Sequence, residues 1–256
     1  MTADLAFAHD LADLADSITL GRFRSADLSV ETKSDLTPVT DADRATEEAL
    51  RERIAALRPG DAVIGEEFGR DGAPDTACRW ILDPIDGTKN YLRGIPVFAT
   101  LIALEREGDL VMGLVSAPTL GPRRWWASRG EGAFADGHTI SVSRVSRLED
   151  AQLLFGGLKT WDRAGRIRGL LALAGRCGRA RGFGDFWMHM LVAEGAAEIA
   201  AEHEVSLWDL AAPKVILEEA GGRFTDLTGR ATAEGGTALS TNGRLHRDAL
   251  DALRAD

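Results

Sequence analysis

Leu5, Leu11, Leu14 and Ile18 recur at near-helical spacing with acids between them, which predicts an amphipathic first helix lying over a sheet. A second helix is expected after Thr40, through "DADRATEEALRERIAAL". Its acids sit in the first turn and its arginines later, as the helix dipole favours, and Thr40 is its cap. Short apolar runs follow at "DAVIG", "RWILD", "VFATLIALE", "LVMGLVSA" and "RRWWAS". Gly and Pro punctuate them, which is how the strands of a large sheet read. In the last of these, Trp125 and Trp126 are expected to alternate between core and surface. From about Ser146 the rhythm changes to strand and helix in turn: "AQLLFGG", then helical "RAGRIRGLLALAG" and "FWMHMLVAEG", strand-like "AEIAA", the long helix "DLAAPKVILEEA" closed by Gly221 and Gly222, and strand-like "RFTDL". The pattern predicts an α/β protein of two halves, 1–145 and 146–256, packed into one unit without linker, repeat or low-complexity tract.

With 256 residues, 45% of them hydrophobic and 27% charged, the chain can bury one large core or two linked ones. A formal net charge of −10 argues against a nucleic-acid surface, since affinity for a polyanion comes mainly from Lys and Arg. Cys78 and Cys177 lie far apart without metal-ligand spacing, so a reducing cytoplasm is the simplest setting. The first residues carry acids where a signal peptide has a basic region, and no run approaches the length of a membrane span.

Acids stand at the ends of three apolar runs: Glu66 and Glu67 after "AVIG", Asp83 and Asp86 after "WIL", and Asp209 at the start of the long helix. In α/β sheets such positions face the crevice where ligands bind. Carboxylates converging without His or Cys are hard oxygen ligands, suited to Mg²⁺ or Mn²⁺, with a structural calcium site as the alternative. Pro84 predicts that the strand ends at Asp83, with Asp86 supplied by the turn. Gly87 permits close backbone approach, and Thr88, Lys89 and Asn90 open a helical turn whose N–H groups would face an anion. Ligands for metal and donors for phosphate within a few residues point to metal-assisted phosphate ester hydrolysis.

The stretches "GEE" (65–67), "DPIDGTKN" (83–90) and "WDLAAPKVILEEAGG" (208–222) resemble, in order and across nearly the whole chain, the inositol monophosphatase superfamily of Mg²⁺-dependent, lithium-sensitive phosphatases. The resemblance implies a layered α-β-α-β-α sandwich, usually dimeric. It implies that the first half carries most metal ligands and the second carries Asp209 and the specificity residues. Glu66, Asp83 and the Ile85 carbonyl would hold a first Mg²⁺, and Asp83, Asp86 and Asp209 a second, with a third possible, Mn²⁺ as a substitute and Li⁺ as an inhibitor. Thr88, oriented by Asp41 of "PVTDAD", would help Glu66 position and deprotonate the attacking water. Read alone, Asp41 is a first-turn acid of its helix. The N–H groups of Gly87 and Thr88 would receive the phosphate, and Lys33 and Asp35 match a loop that closes near the metals.

Lys89 stands where inositol phosphatases usually have threonine. It matches the histidinol-phosphate and phosphoadenosine-phosphate phosphatases, and "GDF", "LVAEGA" and "EVSLWDLAA" look most like the former. Histidinol phosphate carries an amine and an imidazole, which Asp185 and Glu202 could receive. Asp185 reads equally as the cap of the helix that follows. Arg181 matches an arginine near the substrate in relatives, whereas His189 and His203 are assigned nothing. The expectation is a cytoplasmic, homodimeric L-histidinol phosphate phosphatase of histidine biosynthesis. The alternatives are inositol or phosphoadenosine phosphate as substrate, or a regulatory protein that keeps the fold. Pro213 predicts a helix that is irregular, or begins late, around Asp209.

Overall fold

Thr2 caps the first helix, α1 (Ala3–Arg22), whose buried stripe includes Leu5, Ala8, Leu11, Ala12 and Ala15. Leu14 and Ile18 sit half-buried at its edge. The computed structural model describes residues 2–32, 38–73, 76–121 and 123–254. Lys33 and Asp35 lie outside the described residues.

A small antiparallel pair, β1 (Val30–Thr32) and β2 (Pro38–Thr40), leads into α2 (Asp41–Leu57). Next come β3 (Ala62–Gly65), β4 (Gly69–Asp71), β5 (Cys78–Asp86), the short α3 (Thr88–Leu92) and β6 (Ala99–Arg106). They are followed by β7 (Asp109–Ala117), β8 (Arg123–Ser128), β9 (Ala133–Ala135) and β10 (His138–Ile140). Eight of these strands form one sheet in the order β10-β9-β8-β7-β6-β5-β3-β4, with β3 and β5 its parallel neighbours. The chain continues through β11 (Gln152–Phe155), α4 (Leu158–Arg163), α5 (Ile167–Arg176), β12 (Arg179–Gly182) and α6 (Asp185–Ala193). It finishes with β13 (Ile199–His203), α7 (Leu207–Glu219), β14 (Arg223–Thr225), β15 (Thr237–Thr241) and α8 (His246–Arg254). The second sheet runs β12-β11-β13-β15-β14.

Three apolar clusters stack these elements into five layers. One joins α1 and α2 to the outer face of the large sheet, through residues such as Leu11, Leu50 and Trp80. The second fills the centre, where Met190 of α6 and Leu210, Ile216 and Leu217 of α7 pack between the two sheets. The third seats α4, α5 and α8 on the far face of the small sheet through Trp161, Leu173 and Leu253. This is the α-β-α-β-α sandwich that the family resemblance implies. Burying one such leucine or isoleucine contributes about 2 kcal/mol. Trp125 lies in the central cluster, while Trp126 stacks on Phe134 and meets the edge of His9, so its face of the sheet is covered by α1 rather than left as surface.

Two local departures set up the site. The strand does not end at Asp83: β5 continues to Asp86, and its register against β6 shifts between those residues, with Asp83 opposite Leu101 and Asp86 opposite Ala99. One extra residue in β5 is a bulge. Pro84 has no N–H to give to the ladder, and its carbonyl accepts from Thr100 Oγ1 at 2.8 Å instead. Pro213 does not delay α7, which starts at Leu207 and contains the proline. The ring sits beyond the first turn, and close approach of the helix to the sheet is secured by Gly113 of β7, where a Cβ would lie 2.5 Å from the Ala212 carbonyl oxygen.

Candidate active site

In a regular strand residues three apart face opposite sides of the sheet. The bulge in β5 removes that opposition, and carboxylate oxygens of Asp83, Asp86 and Asp209 all lie within 4.8 Å of one another. Asp209 is the third residue of α7, where its Oδ2 accepts from Ser206 N at 2.6 Å in a capping box that fixes the side chain. Asp86 Oδ2 accepts from Phe186 N, at the start of α6, at 2.5 Å. Asp83 is 1% exposed, and its Oδ1 is a buried oxygen without a hydrogen-bond partner.

Electrostatics describe the same cluster. Burial first, then the charges of Glu66, Asp86 and Asp209, push the Asp83 carboxyl well above its ordinary range. Burial and then Asp185 and Asp209 do the same for Asp86. Asp209 is pushed up to about 7, mainly by burial, against the hydrogen bond from Ser206. Groups so placed are costly to ionise unless a cation joins them. The unpartnered Asp83 oxygen and the all-carboxylate donor set therefore fit a hard divalent cation such as Mg²⁺. Glu66 is half-buried at the end of β3 and acts on Asp83 and Asp209 through its charge.

Gly87 has a left-handed backbone, φ 85°, and starts α3. Thr88 Oγ1 donates to the Ile85 carbonyl at 3.0 Å and lies 3.4 Å from Asp43 Oδ1. Asp43, not Asp41, is thus the carboxylate on Thr88. As first residue of α2, Asp41 points outward to Arg22 Nη2 at 2.5 Å. Asp43, the third residue, turns back, its Oδ2 accepting from Thr40 N at 2.8 Å and its Oδ1 left toward Thr88. The T-x-x-D spacing of a capping box in "TDAD" was the available signal. Glu47 was also passed over: fully buried in α2, it accepts from Glu67 N at 2.7 Å and Phe68 N at 3.2 Å, holding the loop that carries Glu66.

Beside the acidic cluster lies a cavity of ≈ 470 Å³, lined among others by Asp86, Lys89, Asp185, His189, Glu202 and Asp209. Asp185 is not the side-chain cap of α6. It adopts φ 52°, and its Oδ2 accepts from Asn90 Nδ2 at 3.1 Å, while Asp86 takes the capping role at Phe186. Asparagine and aspartate tolerate that backbone better than most residues. Burial and then Glu202 raise Asp185 to about 6, and burial raises Glu202 to about 7. Gly156 makes room for Glu202, since a Cβ there would lie 2.3 Å from Oε1. Lys89 is exposed at the rim, and its charge lowers the Asp185 carboxyl. Arg181 does not join the group: it is exposed on β12, and its Nη1 donates to the Ala180 carbonyl at 2.7 Å.

Comparison with known proteins gives this arrangement a context. The model of the inositol monophosphatase family matches residues 2–255. A histidinol-phosphatase of Streptomyces coelicolor is 51% identical over 259 residues, covering 98% of this chain and 96% of that protein. A histidinol-phosphatase of Mycobacterium tuberculosis is 52% identical over 257 residues, covering 98% of each. Among solved structures, the extragenic suppressor protein SuhB of Bartonella henselae superposes with a TM-score of 0.93 at 28% identity, over 99% of both chains.

Proposed function

Because this chain belongs to the inositol monophosphatase family of phosphomonoester hydrolases, we propose that it hydrolyses L-histidinol phosphate to L-histidinol and phosphate in histidine biosynthesis. The observation that carries this reading is the pair Asp185 and Glu202 facing the cavity beside the acidic cluster. A polyol leaving group offers only hydroxyls to two carboxylates, whereas an amine and an imidazole supply cationic donors. The identity to two histidinol-phosphatases supports the same substrate.

Glu66, Asp83, Asp86, Asp209 and the Ile85 carbonyl would hold two or three Mg²⁺ ions, with Mn²⁺ able to replace them and Li⁺ inhibitory. Bound there, the metal would neutralise the phosphate and acidify a water molecule. The protein's own groups do the rest. Glu66 and the Thr88 hydroxyl orient the attacking water and the Glu66 carboxylate accepts its proton, with Asp43 holding Thr88 in place. The N–H groups of Gly87 and Thr88 receive the phosphate, Lys89 offsets its charge at the rim, and Asp185 and Glu202 hold the amino-alcohol end. The setting is cytoplasmic and the assembly a homodimer. Among the described residues no helix is long and apolar enough to cross a membrane.

The test is phosphate release by purified protein with Mg²⁺, comparing histidinol phosphate, inositol monophosphate and phosphoadenosine phosphate, with and without EDTA. A kcat/KM for histidinol phosphate about a hundredfold above the others, some 2.7 kcal/mol of discrimination, is expected. A preference for another ester would refute the substrate, and the absence of EDTA-sensitive release would refute the enzyme and favour a regulatory protein.

A further inference from the structure

His189 is 1% exposed in α6 and lines the cavity, yet no step above uses it. Its Nδ1 lies 2.7 Å from Ser240 Oγ on β15, while its Nε2 is buried without a hydrogen-bond partner and lies 3.7 Å from Glu202 Oε2. A buried polar nitrogen left unpaired costs free energy unless something meets it in the working state. Hydrogen bonds of a site are often long before ligand arrives and shorten when it binds.

We infer that Ser240, His189 and Glu202 form a relay in which His189 is a positioning residue: Ser240 Oγ–H donates to Nδ1, leaving the ring proton on Nε2, where it holds the Glu202 carboxylate toward the cationic end of the substrate. The inference rests on the histidinol phosphate reading of this cavity. The opposite tautomer would aim a lone pair at an ionised carboxylate. Three further features confine the arrangement. Burial pushes the imidazole down to about 4, so the ring is neutral and has one proton to place. Gly156 leaves the room that Glu202 occupies, since a Cβ at residue 156 would lie 2.3 Å from Oε1. Asp185, four residues earlier on α6, is turned to Asn90 and does not compete for Nε2. A neutral donor behind a carboxylate orients it without cancelling the charge that attracts a cation, which a lysine or arginine in that place would do.

The test pairs kinetics with a spectroscopic readout. In His189→Leu the KM for histidinol phosphate is expected to rise about tenfold with kcat falling less than about threefold, and the ratio of kcat/KM for histidinol phosphate over β-glycerophosphate to fall about tenfold. His189→Gln, which keeps an N–H donor, should recover most of that ratio. Equal losses on both esters, or a glutamine variant no better than leucine, would overturn the inference and leave His189 a packing residue. Should the leucine variant fail to fold, Ser240→Ala removes only the hydroxyl that sets the tautomer, and an unchanged ratio there would overturn it equally. Imidazole ¹⁵N shifts of the unsubstituted protein at about pH 8.5, where Glu202 is ionised, should show the proton on Nε2. A proton on Nδ1 refutes the relay even if the substrate proves to be a different ester, so the two readings fail separately.

Discussion

Asp209→Asn isolates the electrostatic cost of the acidic cluster. In the unfolded chain Asp209 loses its proton near 3.8, and in the folded, metal-free protein near about 7. Between those values the folded state binds the extra proton, so its stability falls as pH rises. The gap of about three pH units corresponds to about 4 kcal/mol at 1.36 kcal/mol per unit. About two of those units lie between pH 5 and 8, a little under 3 kcal/mol, and for a chain of this length 1 kcal/mol moves the melting temperature by roughly 3 °C, so EDTA-treated protein should melt roughly 8 °C lower at pH 8 than at pH 5 from this group alone. Asparagine keeps a carbonyl oxygen for the Ser206 N–H and removes the titration, so the variant should show a shallower slope by that amount. Mg²⁺ should raise the melting point of the unsubstituted protein strongly at pH 8 and little at pH 5, where the carboxyls hold protons instead. Calorimetric melts across pH 5 to 8, with EDTA and with Mg²⁺, read all of this. A metal-free slope identical in protein and variant would refute the reasoning.

Three further outcomes follow from particular contacts. Asp43→Asn should lower kcat for phosphate ester hydrolysis by about a hundredfold, and Asp41→Asn by less than about threefold, because only Asp43 faces Thr88; steady-state kinetics with Mg²⁺ decide between them. Gly156→Ala places a Cβ 2.3 Å from Glu202 Oε1 and must displace it, so the KM for histidinol phosphate should rise about tenfold while the melting point changes little. His246 has both ring nitrogens engaged, by Thr225 Oγ1 at 3.0 Å and Thr241 Oγ1 at 2.9 Å, and burial pushes it down to about 4 from 6.5. The unfolded chain takes that proton first, so Mg²⁺-loaded protein should hold its stability above pH 6.5 and lose about 3 kcal/mol as pH falls toward 4, a limb that denaturant titrations should find flattened in His246→Gln.

Much of this was legible in the sequence because the signals are local. A cap followed by first-turn acids fixes the start of α2, and apolar runs broken by Gly and Pro give the strands of the large sheet. The three acid-bearing run ends were visible for the same reason. What escaped depends on contacts between distant segments. The three-residue strands β9 and β10 carry too little pattern to register. The choice of Asp43 over Asp41 follows from which side of one helical turn meets Thr88, and a family match that is two residues out along "TDAD" selects the wrong carboxylate. Pro213 points to an irregular or late start of α7 only because local rules do not count the packing of that helix between two sheets, which outweighs one missing N–H. His189 looked like any core histidine, since its partners come from β13 and β15, more than ten residues away in the chain.

The bond from Phe186 N to Asp86 joins the two halves of the site. Asp86 belongs to the large sheet and the acidic cluster; α6, which begins at Asp185, carries the cavity carboxylate and His189 on the same rigid element. The left-handed backbone of Asp185 is what aims the Phe186 N–H at Asp86 while its own side chain turns to Asn90. A bulky or β-branched residue there would have to pay for that φ, whereas asparagine would keep it and lose only the charge. Asp185→Asn is therefore the substitution that separates recognition from assembly: the acidic cluster should keep its response to Mg²⁺ in a melt, and the KM for a cationic ester should rise more than that for a neutral one. If the Mg²⁺ response were lost as well, Asp185 would be acting through Asp86, and the cavity and the acidic cluster would have to be treated as one electrostatic unit.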